Sequence, residues 1–296
     1  MDKLLLVGFG EILWDMLPGG KRLGGAPANF AYHAHSLGHC GIVASAVGND
    51  ELGNEIIANL SRQQIDTSHI SILPDKKTGT VTVEVDGQGQ PKYVIHENVA
   101  WDFIPSTNIL LQTAAKADAV CFGSLVQRWP VSSQALKNFL ANVSPKCLRI
   151  FDINLRPPFI MPNVIKSSLA LCNVLKLNDQ ELPVLAEMFN LPSEPLSALQ
   201  TMIKMFGLKM IALTRGADGS LLVTTDEVSD LPGSPVKVVD TVGAGDSFTA
   251  AIVVGLLQHL SLKKIHNRAA KLAAYVCTQQ GATPPMPLEL LDEFKI

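Results

Sequence analysis

The chain has 296 residues, with 24 Lys and Arg against 27 Asp and Glu and a formal net charge of -3. That length suits one large α/β domain, or one domain carrying a lid, and the charge balance gives no basis for nucleic-acid binding. Five scattered cysteines (Cys40, Cys121, Cys147, Cys172, Cys277), odd in number and without a Cys-x-x-Cys pair, predict reduced core residues in a cytoplasmic protein and argue against structural zinc.

Residues 1–10 begin like a signal peptide, with Lys3 ahead of Leu4-Leu5-Leu6-Val7. The apolar run is too short for one, and Glu11 and Asp15 place charge soon after it, so residues 3–9 read as a buried strand. No segment approaches the length needed to span a bilayer. Residues 26–37 predict a small-residue helix stopped by Gly38, residues 41–47 a strand and residues 52–63 a helix. Apolar strands at 119–122, 148–153, 174–177 and 210–213 then alternate with helical stretches such as 131–140. That alternation predicts a parallel sheet covered by helices on both faces. One region breaks the rhythm. Residues 78–84 alternate Thr and Val, residues 86–90 are turn-like and residues 92–95 are strand-like again, which predicts a hairpin. With a second short strand at 11–17, it predicts a small β lid over the sheet.

Val236, Val238 and Val239 read as a short β run leading into Asp240-Thr-Val-Gly-Ala-Gly-Asp246. Phe248, Ile252, Leu256 and Leu260 come next at helical spacing, so a helix starts near Gly245. Its first-turn amides lack intrahelical partners, and the flanking glycines let a ligand reach them, which makes an anion site. Asp246 stands in the same turn. It can complement the helix dipole, the simpler reading for the stretch alone. It can also accept the proton of a hydroxyl that attacks a phosphoryl group docked on those amides.

Gly8-Phe-Gly10 comes after a strand like a dinucleotide fingerprint, but Leu13 stands where the third glycine belongs, and no P-loop exists. Gly24-Gly25-Ala-Pro-Ala-Asn29 reads as a loop entering a helix. It is either a plain helix start or a seat for a small polar ligand against Gly25, with Asn29 bonding hydroxyls. Asp152-Ile-Asn-Leu-Arg156 ends a strand before Pro157 and Pro158. Polar groups at the carboxyl ends of parallel strands line ligand crevices, and a salt bridge from an Arg to Asp152 is the alternative. Asn178 and Glu181 have the spacing of a helix cap, which Pro183 complicates. Thr214-Arg-Gly216-Ala-Asp-Gly219 is a glycine loop at a strand end that a hairpin turn would imitate. His33, His35 and His39 do not share a helical face, which argues against a metal site.

Together and in this order, Gly24-Gly25-Ala-Pro-Ala-Asn29, Asn178-x-x-Glu181, Thr214-x-Gly216 and Asp240-Thr-Val-Gly-Ala-Gly-Asp246-Ser-Phe resemble the ribokinase-like (PfkB) family of sugar kinases over nearly the whole chain. The resemblance implies a ribokinase-like α/β fold: a central, mostly parallel sheet with helices on both faces plus a small β-sheet lid. It implies a single domain over 1–296, with the lid inserted at about 11–17 and 78–98. It implies ATP and Mg2+, with Asp246 as general base and Gly243, Ala244 and Gly245 as anion hole. Asn178 and Glu181 then belong to the phosphate and magnesium region, and Thr214, Gly216 and Gly219 to the nucleotide site. Asp15, Gly25 and Asn29 match the family's sugar-binding positions, joined by Asn154 and Arg156. Many members also bind a monovalent cation such as K+, which Asp240, the Val242 carbonyl and the Gly281 region would supply here. Pro285 departs from that pattern, standing about where some relatives carry a hydroxyl residue.

Within the family, Gly10-Glu11-Ile-Leu-Trp-Asp15, Asn98-Val-Ala-Trp101-Asp102 and Asp152-x-Asn154-Leu-Arg156 look most like fructokinases, which implies fructose as phosphoryl acceptor. The rivals are 2-keto-3-deoxygluconate kinase and kinases of ribose or nucleosides. A sugar acid would favour arginine partners, and residues 76–102 contain none, although Arg156 leaves that reading open. The Val-rich hairpin would allow a homodimer through the lid, with no nucleic-acid or membrane partner. Two readings from other classes are a nicotinamide-dependent oxidoreductase using the Gly8 loop and a non-catalytic sugar sensor. The missing third glycine argues against the first, and the presence of Asp246 with both its glycines against the second.

Overall fold

The computed structural model describes residues 3–85 and 91–294. Its strands are β1 (Leu5–Phe9), β2 (Leu13–Leu17), β3 (Gly20–Gly24), β4 (Cys40–Gly48), β5 (Ile70–Leu73), β6 (Gly79–Val85), β7 (Pro91–Ile95), β8 (Ala119–Phe122), β9 (Leu148–Asp152), β10 (Val174–Asn178), β11 (Met210–Thr214), β12 (Ser220–Thr224) and β13 (Val228–Leu231). Its helices are α1 (Ala26–Ser36), α2 (Glu51–Arg62), α3 (Asn108–Ala114), α4 (Pro130–Asn142), α5 (Pro162–Leu171), α6 (Glu181–Phe189), α7 (Pro195–Phe206), α8 (Ala244–Leu257), α9 (Leu262–Cys277) and α10 (Leu288–Asp292).

Nine strands form one sheet in the order β13-β12-β11-β10-β9-β8-β1-β4-β5. From β11 to β5 the neighbours are parallel, and β12 and β13 extend one edge antiparallel. The parallel strands are continuous apolar runs because both their faces are covered. Leu110, Phe139, Ile165, Leu185 and Met202 of α3 to α7 pack on one face. Phe30, Phe248, Leu272 and Leu290 of α1, α8, α9 and α10 pack on the other. Each such side chain contributes about 1.5–3 kcal/mol by leaving water.

A second sheet, in the order β3-β2-β6-β7, forms the lid. It leaves the large sheet at the carboxyl end of β1 and rejoins it through α1, which places it over the strand tips where such folds bind ligands. Strand β3, antiparallel to β2 with Asp15 opposite Arg22, lies in a stretch the sequence reading assigned to no element. The hairpin pairs Val81 with Ile95 and Thr82 with Val94. Its expected turn at 86–90 lies outside the described residues.

Two expectations around α8 need correction. The valines before Asp240 form no strand: Val238 and Val239 are exposed, and no strand pairs with this stretch among the described residues. Instead the amides of Val239 and Asp240 donate to the Cys277 carbonyl at the end of α9, at 2.8 and 3.3 Å. The helix itself does not carry a single apolar stripe. It ends at Leu257, before Leu260, and residues 247–255 are buried all round because α1 and α9 sandwich it.

Candidate active site

Gly243 opens α8 with a left-handed backbone, φ 80, and a Cβ there would lie 2.4 Å from the Ala282 carbonyl. Only glycine fits there. Its amides are not equivalent. That of Ala244 turns back to the Thr241 carbonyl at 3.3 Å, whereas those of Gly245 and Asp246 meet no acceptor among the described residues. Of the amides expected to form an anion hole, those of Gly243 and Gly245 meet no acceptor among the described residues, and that of Asp246 is free beside them. Facing these amides is a cation that the sequence reading missed. The Lys176 ammonium on β10 would stand 3.0 Å from a Cβ on Gly245.

Lys176 is buried beside Asp152, its in-register neighbour on β9, with Nζ 3.1 Å from Oδ1. This corrects the arginine pairing expected for Asp152. Burial alone would pull the ammonium down, but Asp152, Glu181 and Asp246 outweigh it and hold Lys176 above its ordinary value. Three carboxylates around one lysine leave negative charge in excess. Accordingly burial, reinforced by Asp152, raises half-buried Asp246 from 3.8 to about 6, against the pull of Lys176, Asn29 and Arg156. That places a proton acceptor near neutrality, where general-base catalysis is most effective.

Asn29 enters from α1 and donates to Asp246 Oδ2 at 2.8 Å. It therefore orients the carboxylate. Asp246, Asp152, Asn154 and Thr249 line a cavity of about 10 Å³, room for about one water molecule. Gly25 has φ 116, and a Cβ there would lie 2.3 Å from the Glu11 carbonyl. The Gly-Gly pair thus lets the lid connection pass directly over the start of α1. Asp15 is raised by burial, and Arg156 and then Arg22 oppose the shift. Arg156 is exposed at the rim, and its charge is felt by Asp15, Glu11 and Asp246. Glu11 is buried with Oε2 unpartnered, and burial raises it to about 7 against Arg156.

Asn178 and Glu181 form the reciprocal cap that their spacing announced. Asn178 Oδ1 accepts from the Glu181 amide at 2.9 Å, and Glu181 Oε2 accepts from the Asn178 amide at 2.8 Å. Glu181 Oε1 accepts from the Leu155 amide at 2.7 Å, so both its oxygens already hold backbone. Among the described residues no group of His, Cys, Asp and Glu could cage a metal. Thr214, Gly216 and Gly219 lie at the turn joining β11 to antiparallel β12. A Cβ on Gly219 would lie 2.1 Å from the Leu231 carbonyl. Leu231 and Pro232 in turn line a cavity of about 600 Å³, closed on its far side by Asn267, Lys271 and Tyr275 of α9. Its size suits a nucleoside.

The pfkB family carbohydrate kinase profile matches residues 18–289. The chain belongs to that family. An uncharacterized sugar kinase of Pyrococcus horikoshii is 30% identical over 280 residues, which cover 92% of this chain and 86% of that one. A fructokinase of Klebsiella pneumoniae is 27% identical over 300 residues, covering 94% of each. The crystal structure of the Pyrococcus kinase in complex with ATP superposes with a TM-score of 0.83 at 28% identity, over 98% of this chain and 100% of that one. The large sheet, the helices on both its faces and the separate small sheet are the ribokinase-like α/β fold.

In this kinase the dinucleotide reading of Gly8 has a steric replacement. A Cβ there would lie 1.9 Å from the Pro27 carbonyl, so Gly8 serves the packing of α1 on β1. His33, once weighed as a metal ligand, is buried and donates from Nε2 to the Ala282 carbonyl at 2.9 Å. Asp240, Val242 and Gly281 do converge, but through amides. Val242 N–H donates to Asp240 Oδ1 and Gly281 N–H to Oδ2, each at 3.1 Å, and Arg22 Nη1 completes Oδ2 at 2.8 Å. Of the residues missed from sequence, Lys176 and Glu11 left a signal, a charge inside or directly after an apolar strand. Arg22 left none, because its partner is 218 residues away.

Proposed function

We propose that this carbohydrate kinase transfers the terminal phosphoryl group of MgATP to the primary hydroxyl of fructose, giving fructose 6-phosphate and ADP. The observation that carries the reading is the 2.8 Å bond from Asn29 that aims the Asp246 carboxylate beside two unpartnered helix amides. The sugar hydroxyl oxygen attacks the terminal phosphorus, the bond to the bridging oxygen of ADP breaks, and the hydroxyl proton passes to Asp246. The amides of Gly245 and Asp246 and the Lys176 ammonium hold the charge on the transferred group. Magnesium, when bound with the nucleotide, neutralises the phosphates and aligns them. Asp15, Gly25, Asn154 and Arg156 seat the sugar beneath the lid. The cavity bounded by Leu231 and α9 takes the nucleoside, beside the Thr214–Gly219 turn, with Asn178 at its phosphate end.

Fructose is favoured over a sugar acid by the state of the arginine nearest the hairpin. Arg128, brought from outside that segment, spends its charge on Asp102, with Nε to Oδ1 at 2.7 Å and Nη2 to Oδ2 at 2.9 Å. The fructokinase relative supports the same choice. One observation favours the second reading, 2-keto-3-deoxygluconate: Arg156 is exposed and makes no ion pair among the described residues. ADP release measured across neutral sugars and sugar acids separates the two. Fructose is expected to give the highest kcat/KM. A sugar acid in first place moves the assignment to the second reading, and no release with any sugar removes both.

A further inference from the structure

We infer that the Arg22 guanidinium gives Asp240 the positive charge a monovalent cation would otherwise supply, so that this kinase binds nucleotide and turns over without potassium. The inference rests on the reading of the α8 turn as the phosphate site. A potassium ion is held by carbonyl and carboxylate oxygens that replace its water. Around Asp240 both carboxylate oxygens already accept hydrogen bonds. Oδ1 accepts from the Val242 amide, and Oδ2 from the Gly281 amide and Arg22 Nη1. The carbonyls of the facing loop are taken in the same way by side chains. Ala282 accepts from His33 at 2.9 Å, Pro284 from the Tyr32 hydroxyl at 2.9 Å and Pro285 from the Tyr275 hydroxyl at 2.7 Å. Pro285 brings no hydroxyl of its own.

Charge leads to the same conclusion as the donor count. The Asp240 side chain is only 14% exposed, so its negative charge needs a counter-ion, and Arg22 supplies one at 2.8 Å. A second cation on the same carboxylate would face the guanidinium directly. Arg22 also sits opposite Asp15 in the β2–β3 register and lowers the rise in its pKa. One tethered charge from the lid thus serves both the sugar side and the loop that leads into the Gly243 turn. Unlike a free ion, it cannot be exchanged.

The test uses the full chain and two readouts, MgADP affinity by titration calorimetry and sugar-dependent ADP release, in potassium, sodium and tetramethylammonium salts at equal ionic strength. The parent protein is expected to differ by less than about twofold among the salts. Arg22→Gln is expected to bind MgADP about fivefold more weakly in tetramethylammonium, the worth of a partly exposed ion pair, and to regain affinity in potassium. Arg22→Lys keeps the charge and is expected to stay insensitive. Potassium stimulation of the parent by severalfold overturns the inference, as does an Arg22→Gln loss that no cation repairs. Should no sugar support ADP release while calorimetry keeps the expected cation pattern, the acceptor assignment fails and the role of Arg22 stands.

Discussion

At the residue scale the proposed chemistry depends on one carboxylate kept from full ionisation at mild acidity. Burial and the Asp152 charge raise Asp246 to about 6, and the Asn29 bond fixes its direction. As the proposed base, Asp246 must be deprotonated to accept the hydroxyl proton. We therefore expect kcat/KM to fall tenfold per pH unit below about 6, measured as ADP release across pH. Asp246→Asn is expected to lower kcat by roughly 10²–10⁴-fold while nucleotide affinity is kept. The same change removes a carboxylate whose ionised form burial disfavours. At pH values above its folded pKa the variant should therefore be more stable than the parent by about 1–2 kcal/mol, after allowance for its partial exposure, as read by urea unfolding. Near-normal turnover in Asp246→Asn would remove it as the base.

At the scale of elements, the site is built where adjacent parallel strands end. β9 and β10 set Asp152 and Lys176 side by side in register, and β10 aims the ammonium at the first turn of α8. Lys176→Met is expected to cost about 3 kcal/mol in urea unfolding, because it leaves a buried carboxylate without its cation. It should also shift the acid limb of the rate profile to higher pH, since Lys176 is one of the groups holding Asp246 down. Adding Asp152→Asn should recover part of the stability and return the limb toward its original position. A variant that lost stability with an unmoved limb would show that Lys176 acts on packing alone. The motif glycines were legible in the sequence, because each is a steric demand of a local turn. The charge pair was not, since strand register is set by which segments the sheet brings together.

For the whole molecule, two sets of buried groups pull stability in opposite directions. His33 and His266 are fully buried and pushed down to about 4 by burial, His266 being held between the hydroxyls of Ser220 and Ser229 at 2.8 Å each. A depressed histidine is protonated more readily in the unfolded chain, so its contribution is lost as pH falls from 6.5 toward 4. Asp246 and Glu11 are raised, to about 6 and about 7, so they bind protons more readily in the folded chain. Their contribution is lost as pH rises through that range. The parent protein is therefore expected to change little in unfolding free energy between roughly pH 5 and 7. His266→Gln should make it less stable at the upper end relative to the lower, and Asp246→Asn should do the reverse, both read by urea titration.

Sequence alone settled the layered α/β plan, because continuous apolar runs alternating with helical periodicity can be buried only in that arrangement. It also settled the two glycine turns and the family they mark, since positive φ and close backbone approach leave no other residue type. It could not supply the partners of Asn29 and Arg22, which lie 217 and 218 residues along the chain. Nor could it place the strand lysine behind the α8 turn or give the pKa of Asp246. Those arise from burial and from distances between charges, quantities that exist only once the strands are paired and the lid lies over their ends.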